Sequence, residues 1–137
     1  MEPLLSDASR QLAGILFLAL VTVETGGLYL LKIVRSRANV TPFQEKFARA
    51  GHGHAGVLLV LALVCQPFVD ATDLTGTWSW LARSGVAVSA LLMPGGFFFS
   101  SMGAGRTEPN RLIVLVFAGA ALLALSLVTL GVGLLTS

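Results

Sequence analysis

The chain has 137 residues, of which 55% are hydrophobic and only 12% charged, with a net charge of +2 and a mean hydropathy of +0.83. A soluble domain carries about 25% charged residues, so a water-soluble enzyme is excluded because its polar residues could not cover its surface; nine Lys and Arg are also too few for the basic face of a nucleic-acid binder. A lone cysteine, Cys65, excludes an intrachain disulfide framework and a cysteine-rich metal cluster, which leaves a single-domain integral membrane protein.

The charges leave four apolar windows, at about 12–33, 47–69, 80–102 and 112–135. Each reaches the roughly 20 residues needed to cross a bilayer as helix. Lipid offers no water to loose backbone groups, so the spans must be helical, and the expected fold is an all-α four-helix membrane bundle.

The first span holds one acid, Glu24, near its centre. It fits a cleaved signal poorly, being long for such a segment and lacking a following A-x-A site. Intramembrane carboxylates are costly and mark functional sites. Glu24 is therefore a candidate proton-transfer group, with a plain hydrogen bond to a neighbouring helix as the alternative. Asn39, Val40, Thr41 and Pro42 break the first loop, and Pro42 stands where a helix can begin.

The second span opens with Arg49-Ala50-Gly51-His52-Gly53-His54-Ala55-Gly56, the densest chemical signal in the chain. Histidines at i and i+2 point about 200° apart on a helix, so the pair cannot ligate one metal from a regular helix. Zinc would want three or four ligands. Haem needs only one axial histidine, and its propionates could pair with Lys46, Arg49, Arg35 and Arg37. The glycines either make room for a flat macrocycle or let helices pack closely. The alternative is two histidines that only hydrogen-bond at a helix entrance. Cys65 reads as inert packing.

Trp78 and Trp80 mark the interface at the start of the third span. Further on, Pro94 should kink the helix, and Gly95 and Gly96 precede three phenylalanines. Met93 is a possible soft ligand. At 1.5 Å per residue, Glu24, the two histidines and residues 93–95 all lie about 10–15 Å from the basic side, so they could line one pocket in one slab of the membrane. The fourth span is free of charge and reads as scaffold or oligomer contact.

Seven basic residues flank the first and third loops, against Arg10 and Arg83 on the other side. The positive-inside rule then puts those loops in the cytoplasm and both termini outside.

The order of these residues resembles the styrene oxide isomerases, small four-helix membrane proteins. Three stretches over roughly the first three helices carry the likeness. Arg10-Gln11-Leu12-Ala13-Gly14-Ile15-Leu16 is similar to the start of that family's first helix. Phe47-Ala48-Arg49-Ala50-Gly51-His52-Gly53 is similar to its aromatic-Ala-Arg-Ala-His-Ser-Gly segment, with one extra residue before the histidine. The stretch from Leu81-Ala82-Arg83 to Gly96-Phe97-Phe98 is similar to its third helix, which ends in Gly-Phe-Tyr.

The resemblance implies haem b held by His52, with His54 as fallback, in a homotrimer with haem between subunits. It also implies Lewis-acid isomerisation of a small apolar epoxide. The family's third-helix tyrosine falls on Phe98, its aspartate and asparagine have no counterpart in 89–96, its second-helix asparagine is missing, and Glu24 is extra. The scaffold could thus be shared while the epoxide chemistry is not. The Arg-x-x-His-x-His pattern is also similar to the second helix of haem–copper oxidase main subunits, which again makes His52 a haem ligand. A looser likeness to glutathione-using membrane transferases would imply a glutathione site without haem. Two further classes stay open: a proton or ion pathway built from Glu24, His52 and His54, and a structural subunit of a larger membrane complex.

Overall fold

The computed structural model describes residues 3–35 and 38–137. Arg37, one of the seven basic residues counted above, lies outside the described residues. Four helices follow in order: α1 (Asp7–Val34), α2 (Pro42–Asp70), α3 (Gly76–Ser100) and, after a 3₁₀ turn at Arg111–Ile113, α4 (Val114–Thr136). All four are long and apolar enough to cross a membrane. The helices outrun most of the apolar windows because polar residues form their first turns. Only α3 stops short, two residues before the end of its window.

Local chemistry sets the ends. Ser6 caps α1 by accepting from the Ser9 amide. At α2, Thr41 and Gln44 form a reciprocal capping box with Pro42 in the first turn, as the loop-breaking residues suggested. Gly76 takes φ 56°, a left-handed value that turns the α2–α3 loop into α3 without a Cβ clash. Asn110 accepts from the Leu112 amide at 2.8 Å while its side-chain amide donates to the Phe99 carbonyl at 2.9 Å. The α4 start is thereby tied to the α3 end. The helix α3 runs through Pro94 without interruption.

Successive helices pair antiparallel, α1 with α2, α2 with α3 and α3 with α4, whereas α1 and α4 share no contact among the described residues. The bundle is therefore an open, curved row. Half of the most apolar window of α3 is buried, against 6% of that of α1, so α3 is the central post and α1 an outer one. Leu58, Ala62 and Cys65 of α2 meet Val86, Ala90 and Met93 of α3 in the core. Between α3 and α4, glycines bring the backbones together: a Cβ on Gly96 would lie 2.6 Å from the Val116 amide nitrogen. Ser89 and Ser126, fully buried, donate to carbonyls one turn back in their own helices at 2.8 and 2.9 Å, which settles them as packing residues.

Polar clasps hold both ends of the row. At the end bearing the loops, Gln44 donates to the carbonyls of Ser101 and Gly103 at 2.9 and 2.7 Å, and Thr41 donates to that of Arg106. At the end bearing the termini, Arg83 of α3 donates to Asp70 of α2 at 2.9 Å. The same guanidinium donates to Ser9 of α1. Asp70 in turn accepts from the amide and hydroxyl of Ser6 at 2.9 and 2.8 Å.

Candidate functional site

The exposed side of α2 carries Lys46, Arg49, Gly53, Val57, Val60 and Val64 in one stripe, the i, i+3/i+4 spacing of a single helix face. A Cβ on Gly53 would meet nothing within 4 Å. The two histidines stand on either side of this low point, as their 200° separation requires.

His52 faces α1. A Cβ on Gly26 would lie 3.0 Å from its Nδ1, and one on Gly27 would lie 3.7 Å from its Nε2. The two glycines thus form the seat of the imidazole, a role that nothing in their own stretch of sequence announces. The half-buried ring borders a cleft of about 410 Å³ with Val23, Gly53, Gly56 and Val57.

His54 faces α3. Its Nδ1 lies 2.7 Å from the Ala50 carbonyl. A carbonyl can only accept, so Nδ1 carries a proton in this contact, and it is Nε2 that holds the lone pair in the neutral tautomer the contact selects. The ring packs 5.0 Å from that of Phe97, which packs 5.4 Å from Phe47. His54 borders a second cleft of about 330 Å³ with Arg49, Ala50, Gly53 and Val57. Gly53 and Val57 line both clefts, so the two adjoin across the exposed face of α2, and together they are called the trough below.

Arg49 lies one turn from Gly53 toward the basic end. Among the described residues its only ion pair is to Glu45 at 3.3 Å, with the side chains 64% and 38% exposed. Such a surface pair contributes little, so the guanidinium is available to an anion in the second cleft. Lys46 is exposed about one turn further down. Arg35 stands apart, on α1 with Leu28, Leu31 and Lys32.

Glu24 is exposed and borders neither cleft. Its depth is nonetheless informative. Gly26 stands opposite His52, α1 and α2 run antiparallel, and Glu24 and His54 each lie two residues from that level in the same direction, about 3 Å. Glu24 and His54 are therefore level in the membrane but on different sides of α2.

The expectation of one pocket gathering Glu24, the histidines and residues 93–95 needs correction. Met93 and Pro94 are buried, and Met93 packs against α4, where a Cβ on Gly119 would lie 2.5 Å from its Cγ. Equal depth placed these groups together in the sequence, but they face different neighbours. The phenylalanines divide likewise: Phe97 supports His54, Phe98 covers Gly51, and Phe99 is half exposed.

Among the described residues no group of three or more His, Cys, Asp or Glu could hold a metal ion. His54, with the side-chain-free Gly53 and the Arg49 cation in the same cleft, could give a single ligand to a cofactor that brings its own equatorial ligands. In comparisons with known proteins, no family model, no curated protein and no solved structure matches this chain.

Proposed function

We propose that the protein binds haem b in the α2 trough, with His54 Nε2 as the axial ligand. The observation that carries this reading is the His54–Ala50 hydrogen bond. Ligating histidines commonly donate their second nitrogen to a backbone carbonyl, which fixes the ring and raises its basicity. Sequence order favours His52, but its imidazole is seated against Gly26 and Gly27 of α1, and no hydrogen bond orients it among the described residues. Gly53 leaves room for the macrocycle, and Arg49 and Lys46 would be the residues to pair with its propionates. The trough is open on one side, which supports a second copy covering the haem, as in the trimers implied by the resemblance to styrene oxide isomerases.

When bound, ferric haem would supply a Lewis acid for isomerisation of a small apolar, epoxide-like substrate. Val57, Val60 and Val64 give such a molecule an apolar approach along α2, and Glu24 of an adjacent copy, level with His54, is the proposed proton-transfer group. The runner-up is a proton pathway through Glu24, His52 and His54, since intramembrane ionisable residues are the kind that mark such relays.

A visible spectrum of the protein purified with added haem tests the first reading. A Soret band is expected, lost in His54→Ala and kept, perturbed in position, in His52→Ala. Glu24→Gln should keep the band. The reverse histidine pattern would return the axial role to His52, and no band in the parent protein would reject haem.

Sidedness is part of the same proposal. The seven basic residues at the loop end support a cytoplasmic position for that end. A reporter fused after Ser137 should score outside; a cytoplasmic signal would invert the topology.

A further inference from the structure

A third cavity lies apart from the trough, at the loop end, between α1, α2 and the end of α3. It measures about 380 Å³ and is lined by Tyr29, Val40, Gln44, Ala48, Phe98 and Ser101 among others. That is within the roughly 300–1,000 Å³ of small-molecule sites. A dry apolar cavity of about 150 Å³ already holds benzene.

The walls are fixed by contacts already described. Phe98 lies over Gly51, where a Cβ would come within 3.0–3.2 Å of three ring carbons, which seats the ring as one wall of the space. The Gln44 amide is consumed by the loop-end clasp: its oxygen accepts from the Thr41 amide at 3.1 Å and its nitrogen donates to two carbonyls. The Ser101 hydroxyl donates to the Phe98 carbonyl at 3.0 Å. Among the described lining residues the remaining side-chain donor is the Tyr29 phenol, on a side chain 45% exposed. Ala48 supplies a small, buried floor.

The position is also informative. Ala48 precedes His52 by four residues and Tyr29 follows Gly26 by three, so both share a helix face with the His52 seat. The cavity therefore sits one turn, about 5 Å, from the imidazole toward the loops.

We propose that this cavity binds a small, largely apolar molecule of one or two rings that carries a single hydrogen-bonding group, with Phe98 and Ala48 as its apolar walls and Tyr29 Oη as its polar anchor. The proposal does not depend on haem, since neither the trough nor His54 contributes to the cavity.

The probes are 1-naphthol and naphthalene, measured by saturation-transfer NMR on protein in nanodiscs, with empty nanodiscs subtracted. Both should bind to the parent protein. Tyr29→Phe should weaken naphthol about fivefold, the size of one net hydrogen bond, and leave naphthalene unchanged. Ala48→Leu should abolish binding of both. Val40→Phe, on the loop wall, should do the same without altering a helix, which covers the case in which Ala48→Leu fails to fold. Equal naphthol binding by Tyr29→Phe and parent would remove the anchor, and undiminished binding of both probes in a folded cavity-filling variant would remove the site.

Discussion

Asp70→Asn is expected to destabilise the protein by about 3–5 kcal/mol, the cost of breaking a buried ion pair by removing one partner. The Arg83 and Asp70 side chains are only 10% and 15% exposed. Without the carboxylate charge, the guanidinium stays buried beside Ser9 with no anion. The same carboxylate accepts from the amide of Ser6, the cap of α1, where an acid also complements the helix dipole. Because α1 buries so little of its apolar window and reaches the core mainly through Leu16 and its neighbours, the loss should appear first as detachment of α1. Arg83→Met should also destabilise, since it strands the carboxylate. The double variant should recover part of the loss, because no uncompensated charge remains. A double-mutant cycle on thermal unfolding in detergent isolates the coupling. Single variants within about 0.5 kcal/mol of the parent, the range of ordinary surface substitutions, would show that the pair is not a clasp.

The place of Arg83 in this account shows where sequence reasoning stops. The spacing of charges along the chain was enough to locate four helices, because lipid tolerates only long uncharged stretches. The same reading counted Arg83 only as a basic residue on the side of the termini and did not join it to Asp70. Their partnership crosses the α2–α3 loop and recruits Ser6 and Ser9 from a third helix, and no local pattern encodes it. Gln66 belongs to the same cluster, donating to the Arg83 backbone carbonyl at 3.1 Å, and it too passed as an ordinary span residue.

Depth was legible and azimuth was not. At 1.5 Å per residue the sequence placed Glu24, His54 and Met93 in one slab, but their faces depend on the register between helices. A membrane helix is apolar toward lipid as well as toward its neighbours, so it lacks the one-sided stripe that reveals orientation in a soluble helix. The opposition of His52 and His54 could be read from i, i+2 spacing alone. That His52 would meet Gly26 and Gly27, and that Met93 would turn to Gly119, could not. The open row has the same origin, since nothing in four apolar segments says that the first and last remain apart.

Gly96→Ala should separate α3 from α4, and its neighbour Gly95→Ala should not. A Cβ on Gly96 would lie 2.6 Å from the Val116 amide nitrogen and 3.1 Å from the Leu115 carbonyl carbon. Both are backbone atoms, so no rotamer change relieves the clash and the helices must move apart. Overpacking of this kind costs about 1–3 kcal/mol, occasionally more, and here it acts on the partner of the central helix. At Gly95 the new methyl would meet only the Phe99 ring at 3.4 Å, an ordinary contact with a half-exposed side chain. Alanine also favours helix over glycine by about 0.8–1.0 kcal/mol, so Gly95→Ala should be neutral or stabilising. Gly119→Ala should resemble Gly96→Ala in direction, because the new methyl would meet Met93 Cγ at 2.5 Å and the Met93 backbone nitrogen at 3.0 Å. Thermal unfolding of the three variants, followed by circular dichroism in one detergent, gives the order. If Gly95→Ala and Gly96→Ala lowered the midpoint equally, the cost would come from helix propensity or lipid contact, and the close approach of α3 and α4 at Gly96 would have to be abandoned.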